Sequence, residues 1–487
     1  MVKKRSDRNN LSMLTDFYEL TMSNGYFKTG MKETIAVFDM FFRNVPQRGG
    51  FAIMAGVEQL VDYLQNLHFS EEDLDYLKGV GLFDDDFIDY LRHFEFACDV
   101  WAIPEGTPIF PGEPIVKVKG PIIQAQLIET MLLLTVNHQS LIATKSSRIL
   151  RAAQGREIME FGARRAQGVD ASVLGARAAY IAGVAGTSCT LAGKIFNIPV
   201  LGTMAHSWVQ AFDTEYEAFK AYALAYPDHC QLLVDTYNTL KCGVPNAIRV
   251  AKEVLEPMGC RLKAIRIDSG DLAYLSINAR KMLDEAGMKD CSITVSSSVD
   301  EQLIRGLLHQ GAKIDSFGVG ERLITSRDDP VFNGVYKLSL VEENGVAEPR
   351  MKLSDNPEKV TNPGDKQVYR LYNKETGFVE ADLITLVHET IDESKPLTIF
   401  DPAHTWKRKT LYNFRAEPLL QPIFIKGKSC YQARDIEEIR AYCQEQLDTL
   451  WDSIKRFENP QEYYVDLSQE LWELKEKFLH GEIELKG

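Results

Sequence analysis

The sequence predicts a mixed α/β protein built around a parallel α/β barrel, with β-rich segments on either side of it. Between about residues 150 and 340, short apolar strands alternate with amphipathic helices that stop at glycine. Asp, Ser and Gly concentrate just after these strands. The flanking parts of the chain are instead rich in strand-like runs, Pro and Gly.

The spacing of the strands indicates a parallel sheet. Four consecutive strands end at Asp235, Asp268, Ser297 and Gly318, which lie 33, 29 and 21 residues apart, close to one βα unit. Such a series forms either a barrel or an open doubly wound sheet. Polar residues after every strand favour the barrel, because its strand–helix loops all converge on one mouth. The predicted strands are 156–159, 198–201, 231–234, 262–267, 292–296 and 314–317.

The two β-rich segments are expected to fold together as one discontinuous domain. Its predicted parts are residues 1–140 and 341–431, and the barrel occupies 141–340 between them. Residues 432–487 are charged and amphipathic, which predicts a helical C-terminal extension.

Composition excludes several classes of protein. With 487 residues, 45% hydrophobic and 25% charged, the chain is typical of a multidomain globular protein. A net charge of −14 argues against a nucleic-acid partner but leaves small phosphorylated substrates open, because a few arginines and backbone N–H groups bind those locally. No signal peptide or membrane-spanning run is apparent. Eight scattered cysteines without a C-x-x-C pair indicate reduced thiols and a cytoplasmic protein.

His206 is a candidate for chemistry in a loop of small residues. It lies in Gly202-Thr-Met-Ala-His-Ser-Trp208, after the predicted strand 198–201. These neighbours leave room for a ligand and supply hydroxyls and amides, and a neutral imidazole is a competent nucleophile or base. The alternative is a core histidine bonded to a backbone carbonyl, and the local residues do not decide between the two.

Three other motifs each allow a structural and a functional interpretation. Arg266 and Asp268 point to the same side of a strand end and form either a salt bridge or a site for a ligand carboxylate and sugar hydroxyls. Gly318-Val-Gly320 relieves backbone crowding or cradles a phosphate. Glu160-Phe-Gly-Ala-Arg-Arg165 is an exposed basic turn or a ligand surface. Asp271 lies where a helix N-terminus favours a carboxylate for structural reasons alone.

Six short motifs occur in an order that spans nearly the whole chain. They are Leu14-Thr-Asp-Phe-Tyr-Glu-Leu-Thr-Met22, Glu160-Phe-Gly-Ala-Arg-Arg165, Gly186-Thr-Ser188, Gly202-Thr-Met-Ala-His-Ser-Trp208, Arg266-Ile-Asp-Ser-Gly-Asp271 and Ser316-Phe-Gly-Val-Gly320. Together they resemble the nicotinate phosphoribosyltransferase family and, through it, the nicotinamide phosphoribosyltransferases. The resemblance implies an irregular, TIM-like barrel of the type II phosphoribosyltransferase kind, and a homodimer whose active sites are completed across the interface.

The resemblance also implies residue roles. His206 matches the histidine that ATP phosphorylates, and Asp268 resembles the catalytic carboxylate that holds the ribose hydroxyls. Tyr18 of the partner chain and Phe161 match the two rings that stack on the pyridine. Arg266 and Thr203 match residues that contact nicotinate, and Arg164 and the backbone around Ser297, Gly318 and Gly320 resemble a phosphate cradle. The candidate substrate-binding residues are Tyr18, Phe161, Arg164, Ser188, Thr203, Asp235, Arg266, Ser297, Gly318 and Gly320.

The implied reaction joins nicotinate to phosphoribosyl pyrophosphate and belongs to NAD biosynthesis. It yields nicotinate mononucleotide and pyrophosphate, and hydrolyses ATP to ADP and phosphate through a phosphohistidine, as an ATP-coupled ligase does. The implied cofactor is Mg²⁺, held mainly by substrate phosphates, and ATP is a co-substrate. Because the pyridine nitrogen is a weak nucleophile, orientation by two rings and an arginine should supply much of the rate.

Two positions bear on substrate choice. After Gly-Thr the nicotinamide enzymes carry Asp, whereas this chain carries Ser188, whose hydroxyl can donate to a carboxylate. Glu321 departs from family members that carry Thr beside the phosphoribosyl group, so no role is carried over to it.

Rival functions fit the residues less well. Nicotinamide transfer is disfavoured by Ser188, and quinolinate phosphoribosyltransferase should need a larger Arg/Lys cluster for its dicarboxylate. A Schiff-base aldolase needs a lysine at a strand end, yet Lys263 lies at a strand start. A non-catalytic binding protein would not need His206, Arg266 and Asp268 together.

Ser188→Asp is expected to lower kcat/KM for nicotinate sharply, with only a small gain for nicotinamide. Two like charges about 4 Å apart repel by roughly 4 kcal/mol at an effective dielectric of about 20, an upper figure because either group can protonate or move. Ser188→Ala is the control, since it removes the hydroxyl without adding charge. An unchanged ratio of the two kcat/KM values in Ser188→Asp would show that selectivity is set elsewhere.

Overall fold

A computed structural model describes residues 10–356 and 359–483. The predictions for the basic N-terminus before residue 10 and for the last four residues of the tail lie outside these ranges. The chain forms two compact units, one of residues 142–330 and the other of the described residues up to 141 and from 331 onward. The first boundary falls within the helix Glu129–Ala152.

The unit of residues 142–330 contains a six-stranded sheet in which all neighbours pair in parallel. Within this unit, the last strand along the chain pairs with the first, so the sheet curls back towards its own beginning. Its spatial order is β2-β1-β6-β5-β4-β3. These strands are β1 Glu157–Glu160, β2 Gly186–Thr187, β3 Gln231–Leu233, β4 Ala264–Ile267, β5 Ser292–Val295 and β6 Ser316–Val319.

The predicted mixed α/β class is confirmed, but the parallel sheet is curled and is not closed into the predicted barrel. The predicted strand 198–201 is reduced to one parallel bridge, of Val200 to Thr187 of β2. Pro199 cannot donate a ladder hydrogen bond. Within the described residues no strand pairing joins this segment to β3, so the opening lies between Val200 and Gln231.

Helices connect these strands and end as the sequence predicts. The chain leaves the helical region at Gly259, where φ is 75°, and glycines in the same left-handed region follow the next two long helices. β6 begins two residues later than predicted, which places Gly318 inside the strand. The α-helices of this unit after residue 152 are Val169–Ile181, Thr190–Phe196, His206–Gln210, Glu215–Ala225, Val244–Val250, Leu272–Glu285, Glu301–His309 and Glu321–Ile324.

The other unit joins the two β-rich segments in one seven-stranded sheet. Gly334–Glu343 pairs with Ile35–Phe42, and this pairing places the division of the chain near residue 330 rather than at the predicted 340. Its strands in spatial order are Val346–Pro349, Gly334–Glu343, Ile35–Phe42, Val116–Pro121, Asp99–Ala102, Gln421–Ile425 and Lys428–Ser429. Its helices before residue 141 are Phe17–Lys28, Val57–Gln65, Glu71–Val80, Asp85–Arg92 and Ile122–Leu127.

The later part of the same unit contains a four-stranded sheet and short hairpins. The tail is not only helical, because Val465–Leu467 between its helices Ile436–Asp448 and Gln469–Leu479 adds a parallel strand to this sheet. The four strands are Phe414–Pro418, Lys366–Asn373, Val379–Leu386 and Val465–Leu467 in spatial order, and the two-stranded pairs are Leu397–Phe400 with Arg408–Leu411 and Ala52–Ile53 with Pro108–Ile109.

A fully buried ion pair lies within the four-stranded sheet. Arg370 Nε donates to Asp382 Oδ1 at 2.9 Å, and its Nη2 donates to Asp382 Oδ2 at 2.7 Å. Tyr463 also donates to Asp382, at 3.0 Å. These hydrogen bonds and the charge of Arg370 compensate the carboxylate of Asp382, because a buried carboxylate without a partner would destabilise the fold.

Arg370→Met is expected to destabilise the protein by about 3–5 kcal/mol, because it leaves the carboxylate of Asp382 buried without its cation. The measurement is the free energy of unfolding from denaturant titration. Lys395→Met is the matched control: it breaks an exposed pair with Asp392 at 2.9 Å, and exposed pairs contribute about 1 kcal/mol at most. Similar small losses in both variants would contradict a structural role for the buried pair.

Candidate active site

The carboxyl ends of three neighbouring strands bring polar side chains together. Asp235 follows β3, Asp268 follows β4 and Ser296 follows β5. Because the carboxyl ends of parallel strands share one edge of a sheet, these residues are neighbours although they lie far apart in sequence. This edge is the candidate active site.

Arg266 is the most highly connected side chain at this edge. Its Nε donates to Ser296 Oγ at 2.8 Å, and its Nη2 donates to Asp268 Oδ1 at 3.0 Å. Its Nη1 donates to Thr203 Oγ1 at 3.3 Å and lies 3.5 Å from the carbonyl oxygen of Met204. The predicted same-side arrangement of Arg266 and Asp268 is confirmed, and here the two form a salt bridge.

His206 is held between two polar groups. It is the first residue of the helix His206–Gln210, and its side chain is 40% exposed. Nδ1 lies 3.1 Å from Thr236 Oγ1, and Nε2 lies 3.8 Å from Asp268 Oδ2. The histidine is therefore not a core residue bonded to a backbone carbonyl. Asp268 faces His206 with one carboxylate oxygen and Arg266 with the other.

Asp235 orients the loop after β4. Its Oδ2 accepts hydrogen bonds from the backbone N–H of Asp268 at 3.0 Å and from Ser269 Oγ at 2.6 Å. Its Oδ1 is buried and has no hydrogen-bond partner among the described residues. Asp271 caps the following helix through the N–H of Tyr274 at 3.0 Å, which is the structural role expected of it.

Phe161 and Gly318 pack directly on each other beside Arg266. A Cβ on Gly318 would lie 2.5 Å from Phe161 Cδ2, so the ring occupies space that only glycine leaves. The guanidinium carbon of Arg266 lies 5.7 Å from the centroid of the Phe161 ring. This packing explains why position 318 is a glycine. The role of Gly318 in a phosphate cradle stays a prediction.

Ser188 is placed by contacts around the buried carboxylate of Glu160. Thr187 Oγ1 donates to Glu160 Oε2 at 2.6 Å, and the N–H of Gly162 donates to Oε1. The N–H of Ser188 donates to the backbone oxygen of Glu160 at 2.8 Å, which joins the segment of Ser188 to the segment of Phe161. Burial raises the pKa of the Glu160 carboxyl above its ordinary value, and the hydrogen bonds from Thr187 and Gly162 oppose that rise.

The remaining predicted residues lie in different settings. Arg164 is exposed in a 3₁₀ turn, and Ser297 follows β5 with φ at 106°, a left-handed backbone that is strained for a residue with a side chain. Glu321 forms an ion pair with Arg327 at 2.9 Å. Tyr18 belongs to the other unit, in the helix Phe17–Lys28, where burial and the nearby Glu129 raise the pKa of its hydroxyl.

Three residues that organise this edge were not among the predicted site residues. Thr236 directly follows Asp235, and its position after a strand was a usable signal. Ser296 ends the predicted strand 292–296, and strand alternation places it on the same side as Thr294. Glu160 belongs to a predicted motif, but the burial of its carboxylate cannot be seen from the residues beside it.

The described residues contain no group of three or more His, Cys, Asp or Glu side chains able to hold a metal ion. A site built only from protein ligands is therefore absent from this part of the chain. Asp235 and Asp268 nevertheless fit Mg²⁺ that arrives with phosphates, because Mg²⁺ is commonly bound by one or two carboxylates and substrate oxygens. Among the same residues, no helix has the length and apolar character that crossing a membrane requires.

Family models match almost the whole chain. The N-terminal domain of nicotinate phosphoribosyltransferase matches residues 13–137, the nicotinate phosphoribosyltransferase family matches 156–376, and the C-terminal domain of the enzyme matches 365–475. A nicotinate phosphoribosyltransferase of Bacillus subtilis is 48% identical over 472 residues, covering 96% of this chain and 95% of the relative. The chain belongs to the nicotinate phosphoribosyltransferase family.

Relatives from other organisms and solved structures agree with this membership. A human nicotinate phosphoribosyltransferase is 32% identical, with 96% of this chain and 97% of the relative covered. The crystal structure of human nicotinic acid phosphoribosyltransferase matches with a TM-score of 0.84 at 30% identity, covering 95% of this chain and 99% of that one. A nicotinate-nucleotide pyrophosphorylase from Pyrococcus furiosus shares the fold, with a TM-score of 0.68 at 23% identity over 92% of this chain and 98% of that one.

Gly318→Ala is expected to lower nicotinate phosphoribosyltransferase activity by up to about 100-fold, because the new methyl displaces the Phe161 ring and small displacements in an active site are that costly. Gly306→Ala is the matched control. A Cβ at Gly306 meets nothing within 4 Å, and the substitution should slightly stabilise its helix. Steady-state kinetics on both variants make the comparison, and equal activities would show that the position of Phe161 is unimportant.

Proposed function

We propose that the protein transfers the phosphoribosyl group of phosphoribosyl pyrophosphate to nicotinate, with ATP consumed through a phosphohistidine at His206. The observation that carries this proposal is the joint placement of His206, Arg266 and Asp268 at one sheet edge of a chain in this family. Nicotinate and phosphoribosyl pyrophosphate would both have to reach this edge.

Arg266 is suited to the carboxylate of nicotinate. Its guanidinium is planar and already oriented by Ser296 and Thr203, so little entropy is lost when it binds a second planar anion. Asp268 accepts from its Nη2 at 3.0 Å and is the group with which nicotinate would share the guanidinium. Phe161 lies beside the guanidinium and offers a ring face for the pyridine.

Asp268 has a second task in this proposal. Positive charge develops on the ribose as pyrophosphate leaves, and a carboxylate at the sugar both accepts from its hydroxyls and stabilises that charge. The backbone N–H of Asp268 is anchored by Asp235, which fixes the loop after β4 before substrate binds. Mg²⁺ bound with the pyrophosphate would neutralise the leaving group.

His206 is suited to accept a phosphoryl group. Thr236 orients its ring at Nδ1, and the carboxylate at 3.8 Å from Nε2 favours a positive imidazole while the bond to phosphorus forms. A phosphoryl group there would add negative charge beside Asp268. Repulsion between the two anions would then weaken the hold of Asp268 on Arg266 and make the guanidinium available to nicotinate.

The assembly and location are parts of the same proposal. We infer a homodimer in which Tyr18 of one subunit serves the site of the other, and a cytoplasmic enzyme. The exposed side chain of Tyr18, at 46%, leaves its ring available for such a contact. Analytical ultracentrifugation and mixed dimers of Tyr18→Ala and His206→Ala subunits test the shared site, because such dimers should regain activity only if sites are shared.

ATP is expected to label the protein on one histidine, with an acid-labile and alkali-stable bond, and His206→Ala should abolish the label. The same variant should lose the ATP dependence of nicotinate-driven pyrophosphate release, although slow uncoupled transfer can survive. Radiolabelling and a pyrophosphate assay with and without ATP measure both effects. His229→Ala serves as a control. Full labelling of His206→Ala would contradict the assignment, and absence of nicotinate-driven pyrophosphate release from the unmodified protein would contradict the proposed reaction.

A further inference from the structure

A cavity of about 570 Å³ lies in the unit that contains the C-terminal residues, and no part of the proposed reaction uses it. It opens between the hairpin of Leu397–Phe400 and Arg408–Leu411 and the segment that leads into the strand Val465–Leu467. Charged side chains of both signs line it. They are Asp401, Lys407, Arg408, Lys409, Glu462 and Asp466.

Asp466 is an unpartnered carboxylate on the wall of this cavity. The residue is 5% exposed, and among the described residues no hydrogen bond or ion pair reaches its side chain. Burial, together with the nearby carboxylate of Asp401, raises its pKa to about 6. A carboxylate that is buried without a partner costs stability at neutral pH, which is a common sign of a site that a ligand completes.

The two lysines of the cavity do not neutralise Asp466, because other carboxylates engage them. Lys407 lies 3.5 Å from Asp401, and Lys409 pairs with Glu380. Arg408 differs from both: its Nε donates to the backbone oxygen of Thr405 at 2.7 Å, and within the described residues no carboxylate lies within salt-bridge distance of its guanidinium. In the part of the chain that the structure describes, the cavity therefore presents two carboxylates without a cation, the buried Asp466 and the exposed Glu462, and one cation without a carboxylate. That cation, Arg408, is exposed, and its guanidinium carbon lies 5.6 Å from the centroid of the Phe400 ring.

We propose that this cavity binds a small zwitterion, with its ammonium group on Asp466 and its anionic group on Arg408. A metal ion is a poorer match, because the described residues hold no cluster of acidic or histidine ligands there and the basic side chains would repel it. A simple amine would leave Arg408 without an anion, and a simple anion would leave Asp466 without a cation. The α-amino acids are the simplest compounds that carry both groups at short separation. This inference goes beyond the proposed function and does not depend on it.

Calorimetric titration of the full-length protein with the proteinogenic L-α-amino acids tests the proposal, with methylamine and acetate as probes of one charge each. At least one amino acid should bind saturably and more tightly than either single-charge probe. Asp466→Asn and Arg408→Gln should each weaken that binding by roughly 10-fold or more. Asp392→Asn is the control, since it removes an exposed carboxylate outside the cavity. Absence of saturable binding by every amino acid, or unchanged affinity in Asp466→Asn, would overturn the proposal.

A stability measurement tests the premise about Asp466 separately. A carboxyl whose pKa is raised by folding costs stability that grows as pH rises from about 4 to about 6 and stays constant above that. Asp466→Asn should therefore raise the melting temperature at about pH 8, and this gain should shrink as the pH falls towards about 4. A variant that is less stable than wild type at about pH 8 would show that Asp466 has a structural partner, and the zwitterion site would be rejected.

Discussion

The organisation of the candidate active site depends on the guanidinium of Arg266. It joins the loop of Thr203 and Met204 to Ser296 and to Asp268. The loop, Ser296 and Asp268 belong to three separate connections between strands of the parallel sheet. Only 15% of its side chain is exposed, so the charge needs the carboxylate of Asp268 beside it. A shorter or uncharged side chain at this position would leave these loops without their common partner.

Asp268 connects Arg266 to His206. One carboxylate oxygen bonds Arg266 and the other faces the imidazole, so a change of charge on the imidazole affects how strongly the carboxylate holds Arg266. Asp235 fixes the backbone of Asp268 and keeps this arrangement in place. In the proposed reaction, this shared carboxylate is the physical link between phosphorylation of the histidine and capture of nicotinate by the arginine.

The sequence predicted the parts of the fold that repeat and the site residues that lie on strand ends. The spacing of Asp235 and Asp268 predicted neighbouring parallel strands, and glycines predicted where helices end. The opening in the sheet was not predictable, because the segment with a single bridge at Val200 looks like a strand in sequence. The importance of Glu160 comes from the burial of its carboxylate rather than from local pattern, whereas Thr236 is indicated by its position after a strand.

The most direct test of this account compares nicotinate and nicotinamide binding to wild-type protein and Arg266→Ala by calorimetric titration. The two ligands differ only in carrying a carboxylate or a carboxamide. Removal of the cation should therefore weaken the binding of nicotinate more than the binding of nicotinamide. The account predicts that nicotinate affinity falls roughly 10- to 150-fold relative to nicotinamide affinity, the range expected for one charge-assisted hydrogen bond. An equal loss for both ligands would show that Arg266 only supports the fold and would contradict the account.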